Sequence, residues 1–194
     1  MKMSENLPKR KKIRLQNYDY SECGAYFITI CTDKRRKILS KIVGVGVLDD
    51  PFFDPQTVEV GVLDDPRVEL TAYGKIAEKY INQLNDFYNH LSIESYVIMP
   101  NHIHFLLFIQ KEKQTFKNGQ SGTPVPTNVE RANSVFSQFI STFKRFCNKE
   151  YGKNIWQARS YDHIIRNYED YENHVKYIHE NPAQWYFDEL YSNE

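Results

Sequence analysis

An α+β fold follows from three features of this chain: one isolated strand-like run near the start, two such runs around a turn dipeptide at mid-chain, and apolar residues at helical spacing between and after them. Gly24 introduces the first run, Ala25 to Thr32, whose β-branched and aromatic residues suit a central strand. Thr71 is an N-cap candidate. Ile76, Ala77, Tyr80, Ile81, Leu84, Phe87 and Tyr88 then recur on one helical face, which predicts a helix over Ala72 to Asn89. Ile93 to Met99 and His102 to Gln110 read as strands separated by Pro100-Asn101. Order resumes near Asn133 with a second helix. Val135, Phe136, Phe139, Ile140, Phe143 and Phe146 form its apolar face, and Lys144, Arg145 and Lys149 lie away from that face. Tyr161 to Arg166 predicts a short fourth strand. Asn167 can cap a third helix that runs to about Asn181, where Pro182 ends it. The order β, α, β, β, α, β, α suits an antiparallel sheet with packed helices, and its first six elements suggest the ferredoxin-like arrangement.

The 194 residues are expected to form a single domain with three decorations. Residues 1–17 are polar, lysine-rich and aperiodic, and read as a basic arm. Within 40–69 the heptapeptide VGVLDDP occurs twice, at Val45 to Pro51 and Val60 to Pro66. Two copies cannot stack into a solenoid, so this stretch reads as a duplicated insertion in a surface loop or hairpin extension. Residues 111–130, with Gly119, Gly122, Pro124 and Pro126, read as a linker.

Composition narrows the function classes. Aromatics make up 14% and hydrophobic residues 41%, which is globular rather than disordered composition. Three scattered cysteines, Cys23, Cys31 and Cys147, indicate neither a disulfide framework nor a zinc knuckle, and they fit a reducing cytoplasm. No run approaches the roughly 20 apolar residues that cross a bilayer, so no membrane role is expected. Lys plus Arg equal Asp plus Glu at 25 each, so bulk charge would not hold a nucleic acid. Local basic clusters would have to. One lies at Lys9 to Arg14, another at Lys34 to Lys37, and a third includes Lys144, Arg145 and Arg159, the three taken as candidate DNA-backbone contacts.

The sharpest local signal is Met99-Pro-Asn-His-Ile-His-Phe-Leu-Leu107. Side chains two apart on a strand share a face, so His102 and His104 point the same way, about 7 Å apart at the backbone, within reach of one metal ion. An isolated His-x-His is ordinarily two histidines on the wet side of a strand, and one tyrosine among 14 is ordinarily a packing residue. A second element able to face the pair changes the weighing. On the third helix His174, Tyr177 and Asn181 share one face. A phosphodiester is anionic and repels nucleophiles until its charge is neutralised, and a cation on the histidine pair would do that. Tyr177, with an ordinary pKa near 10, would have to lose its proton before attacking phosphorus. The phosphotyrosine so formed would keep the bond's energy for rejoining. His163, His174 and His179, like Trp156 and Tyr161, are read first as packing or surface groups, with second roles near the ion or on unpaired bases.

Taken together, these blocks resemble the single-tyrosine transposases of the HUH superfamily, in the REP-associated branch. The resemblance runs from Ile13-Arg-Leu-Gln-Asn-Tyr-Asp-Tyr-Ser21 and Gly24 to Thr32 through Pro-Asn-His-Ile-His. It continues over Ile155 to Asn167 and Tyr177-Ile-His-Glu-Asn-Pro182. It implies an HUH endonuclease fold, His102 and His104 as ligands of Mg²⁺ or Mn²⁺, Tyr177 as nucleophile, and Asn181 as a metal-binding amide where the family often has glutamine. It also implies single-stranded or hairpin DNA as substrate, a 5′ phosphotyrosine with a free 3′ hydroxyl, and relatives that occur as homodimers. Two other classes fit the same residues: a domesticated module that grips hairpin DNA without cutting, and a metal phosphodiesterase that activates water at the histidine pair.

Overall fold

The structure is a computed structural model that describes residues 23–44, 66–88, 90–110 and 135–191. The arm at 1–17, both VGVLDDP copies except the last residue, Pro66, and the linker at 111–130 lie outside the described residues. The elements in chain order are β1 (Gly24–Cys31), β2 (Ser40–Val43), β3 (Arg67–Leu70), α1 (Ala72–Phe87), β4 (Leu91–Ile98), β5 (His102–Ile109), α2 (Val135–Tyr151), β6 (Tyr161–Ile165) and α3 (Tyr168–Glu180), with short 3₁₀ turns after β1 and α3.

Four strands form one antiparallel sheet in the order β4-β5-β1-β6. The β1-α1-β4 crossover therefore straddles β5, and β5-α2-β6 straddles β1, which is the split pattern of a ferredoxin-like fold. The α+β expectation holds. At the margins of the 40–69 stretch, read as a surface loop or hairpin extension, Ser40–Val43 and Arg67–Leu70 pair as a separate antiparallel ribbon from Ser40↔Leu70 to Val43↔Arg67, two strands the sequence pattern did not single out. Strand alternation in a short, charged segment is weak, and the duplicated heptapeptide between the two halves obscures it.

Period-two alternation in β1 and β5 sorts the sheet into two faces. Tyr26, Ile28 and Ile30 of β1, with Ile103, Phe105 and Leu107 of β5, point to one side. There they meet Ala77, Ile81 and Leu84 of α1 and Phe136, Phe139 and Phe143 of α2. The start of α1 is fixed by Thr71, whose hydroxyl accepts from Gly74 N at 3.2 Å. Gly74 is required by close approach, because an added Cβ would overlap the carbonyl oxygen of Leu39. On the other face Phe27, Val97, Met99 and Leu106 pack with Ile178 of α3 and with Trp185 beyond it. Asn167 caps α3, accepting from Asp170 N at 2.8 Å. Ile178 is the one fully buried residue of α3, so this helix lies lightly on its face of the sheet. Among the described residues no helix is long and apolar enough to cross a membrane.

Candidate active site

His102 and His104 occupy the α3 face of β5, and their ring centroids are 4.4 Å apart. Cross-strand register aligns Val97, His104, Thr29 and Tyr161 in one row, with Leu106, Phe27 and His163 in the next. Both imidazoles are buried, at 0% and 2% exposure, although a polar ring on a sheet face is usually wet. Their burial has a cost. It takes His102 down to about 3, with the Arg35 guanidinium adding to the shift, and it holds His104 well below the ordinary histidine range, helped by His102 itself.

Each ring is held from behind. Asn101 Nδ2 donates to the carbonyl of Leu190 at 2.7 Å, an oxygen that can only accept, so the amide oxygen of Asn101 must face His102 Nδ1, 2.7 Å away. His102 therefore carries its proton on Nδ1 and turns Nε2 inward. His104 Nδ1 pairs with the Thr29 hydroxyl at 2.9 Å. Neither Nε2 atom has a hydrogen-bond partner, nor does the buried Oδ1 of Asn181. Buried polar atoms are rarely left so, and three in one place need an explanation.

α3 covers this pair. Tyr177 lies with its ring 5.2 Å from that of His104 and 5.9 Å from that of Phe27, and its hydroxyl donates to Asp188 Oδ2 at 3.3 Å. The ring is 40% exposed on a cleft of about 730 Å³ that also takes in His104, His174, Asn181 and Asp188. Burial of the hydroxyl end, then the Asp188 carboxylate, push the phenol up to about 12, so at rest it keeps its proton. Asn181 remains α-helical in backbone although it precedes proline, and its Nδ2 donates to Asp188 Oδ2 at 2.8 Å. The expected company of His102, His104, Tyr177 and Asn181 is thus one cluster.

Asp188 is the member that sequence reasoning missed. It sits eleven residues beyond Tyr177, after the chain reverses at Pro182, where neither helical nor strand period carries a signal. Its side chain is 1% exposed, and Oδ2 lies 3.9 Å from His102 Nε2. The donor atoms of His102, His104 and Asp188 all fall within 4.8 Å of one another. Two unpartnered imidazole nitrogens, a carboxylate and a free amide oxygen suit a divalent cation such as Mg²⁺ or Mn²⁺. Asn101 was also missed, although it stands beside the pair in the motif.

Other candidates take different places. Lys144, a candidate for a DNA-backbone contact, donates in this structure to the carbonyls of Gln157, Ala158 and Arg159 at 2.8, 3.5 and 3.3 Å, and burial lowers it to about 8. The physical reason is local: the irregular chain before β6 leaves carbonyls without ladder partners, and this ammonium meets them. Arg145 is exposed over the ring of Phe146, on the helix layer across the sheet from the histidines, and Arg159 is exposed on the segment before β6. None of the three lines the cleft. His163 and His174 bond Asp170 at 2.9 and 3.1 Å and stack on each other at 4.7 Å, tying α3 to β6. Trp156 is core, Tyr161 is an exposed aromatic on the cleft wall, and His179 is exposed.

Fold and cleft together define an antiparallel α+β domain that presents two strand-borne imidazoles to a helix-borne phenol. No family model matches the chain. An uncharacterized protein of Haemophilus influenzae is 24% identical over 200 residues, 98% of this chain and 97% of its own length. The REP-associated tyrosine transposase of Escherichia coli K12 is 29% identical over 92 residues, 47% of this chain and 44% of the relative. A putative REP-associated tyrosine transposase of H. influenzae is 27% identical over 119 residues, 54% and 60% of the two chains. Both of these matches span less than two thirds of the named transposase. Among solved structures, a REP-associated tyrosine transposase bound to a REP hairpin superposes with a TM-score of 0.55 at 20% identity, covering 89% of this chain and 74% of that one. The chain is related to the REP-associated tyrosine transposases, in sequence over about half its length and in fold over most of it.

Proposed function

We propose that this protein nicks single-stranded DNA, presented alone or as a hairpin, and transfers the cut strand through a covalent bond to Tyr177. The observation that carries the reading is that Tyr177, His104 and Asn181 line one cleft, with the buried His102 ring 4.4 Å from that of His104 and both Nε2 atoms and Asn181 Oδ1 left without partners. The relatives named as transposases, and the one bound to a REP hairpin, support it.

His102 and His104 would hold the cation, with Asn181 as an oxygen donor; bound there, a divalent ion supplies charge neutralisation at the phosphoryl oxygens. Everything else falls to the chain. Thr29 and Asn101 fix the orientation of the two imidazoles through their Nδ1 atoms. α3 holds the Tyr177 oxygen at the cleft wall, where in-line attack forms a Tyr Oη–P bond as the P–O3′ bond breaks. The phenolic proton leaves, and the departing 3′ oxygen takes one up as a free hydroxyl. Reversal of the same step, with a different 3′ hydroxyl attacking the phosphotyrosine, rejoins the strand without a nucleotide cofactor.

The test uses 3′-end-labelled hairpin DNA with Mn²⁺, resolved on a denaturing gel. Label should migrate with the wild-type protein and not with Tyr177→Phe. Free cleaved product that survives Tyr177→Phe would establish water as the nucleophile instead, and hairpin binding with no cleavage by the wild type would establish a binding module.

A further inference from the structure

We infer that Asp188 is a further protein ligand of the divalent cation, beside His102, His104 and Asn181, so that the segment after α3 is part of the metal site. The inference rests on the reading of His102 and His104 as a metal pair and extends it to a residue outside the His-x-His and Tyr177 motifs.

A carboxylate side chain 1% exposed has lost most of its hydration, and such burial is tolerated when a cation or several donors replace the water. The donors present at Asp188 are few. Oδ1 accepts from Leu190 N at 2.6 Å, and Oδ2 accepts from Asn181 Nδ2 at 2.8 Å and, more distantly, from the Tyr177 hydroxyl at 3.3 Å. Its single ion-pair neighbour among the described residues is His102 Nε2, at 3.9 Å, too far for a hydrogen bond. The negative charge thus faces two imidazole nitrogens that have no partner of their own. A dication between them satisfies all three groups at once. With all donor separations within 4.8 Å, at most a small inward shift is needed to match two metal–ligand bonds of roughly 2.1 Å each.

The surrounding contacts deliver this side chain to the spot. Glu189 O accepts from Arg35 at 3.2 Å, and Leu190 O accepts from Asn101 at 2.7 Å, so both following peptides are fastened to the body of the domain. Trp185 is buried against His102, with ring centroids 6.0 Å apart. Asn101 does double duty, since the amide that orients His102 also anchors the residue two beyond Asp188. Such outer contacts are how proteins fix metal ligands in place. A carboxylate beside two imidazoles also moves the donor set toward Mn²⁺ or Mg²⁺ and away from thiophilic ions.

Mn²⁺ binding to the full chain, followed by loss of the free-ion paramagnetic resonance signal, tests this without reference to DNA cleavage. Asp188→Asn and Asp188→Ala should each weaken Mn²⁺ binding by about tenfold or more, while Glu189→Ala, in the same segment, should bind as the wild type does. Circular dichroism melting of each variant reports whether the fold is kept. Wild-type affinity in both Asp188 variants, with His104→Ala impaired, would overturn the inference and leave the histidine pair standing. An equal loss in Glu189→Ala would also overturn it, by assigning the effect to docking of the segment. Undiminished binding by His104→Ala would sink both readings together.

Discussion

The two faces of β5 are built from one alternating run and differ in what burial costs them. On the α1–α2 side Ile103, Phe105 and Leu107 are fully buried among apolar partners, and Phe105 meets Phe139 and Phe143 edge-on at 6.0 and 5.6 Å. On the α3 side His102 and His104 are buried as deeply, yet each leaves a ring nitrogen unpaired. The first face gains stability from exclusion of water. The second loses some, and a polypeptide keeps such a loss where the group is needed for something other than folding.

This contrast is open to attack from either side. The largest effect on stability should come from the apolar face: Phe105→Ala, which empties a ring-sized space beneath α2, should cost about 3–5 kcal/mol in urea unfolding. A cost under about 1 kcal/mol would show that this layer does not carry the fold. Next comes acidity on the polar face, in chelator-treated protein. Burial places His102 at about 3 in the folded chain against roughly 6.5 unfolded, so below pH 6.5 the unfolded chain binds more protons. Stability should be complete above pH 6.5 and fall as pH drops toward 3, by up to about 1.4 kcal/mol per unit for this ring. His102→Gln should flatten that slope, and an unchanged slope would assign the loss to other groups. The smallest effect should be His104→Leu without metal, which removes an unpaired nitrogen but strands the Thr29 hydroxyl, for a net change under about 1 kcal/mol in either direction. A loss as large as that of Phe105→Ala would make His104 a structural residue.

What was legible in the sequence follows the same division. Alternation along β5 put His102 and His104 on one face, as observed, because a period of two survives any packing detail. The caps at Thr71 and Asn167 and the shared face of His174, Tyr177 and Asn181 were readable for a like reason: all are set within a turn or two of helix. Asp188 was not readable. It reaches the histidines through a chain reversal and through clamps from Arg35 and Asn101, residues 153 and 87 positions away, and no local pattern encodes contacts of that range. Lys144 shows the limit in the opposite sense: its place on the helical wheel faces outward, but carbonyls of a neighbouring irregular segment come to meet it. The β2–β3 ribbon shows the same limit, since its pairing depends on two four-residue ends brought together across 23 intervening residues.

The central claim is that the Tyr177 oxygen becomes bonded to phosphorus. Peptide mass spectrometry of the protein after reaction with Mn²⁺ and hairpin DNA, followed by nuclease trimming, reads this directly. The account predicts a residual nucleotide 5′-phosphate on the peptide containing Tyr177, absent from Tyr177→Phe. Efficient cleavage with that peptide unmodified, or the adduct on another of the 14 tyrosines, would contradict it.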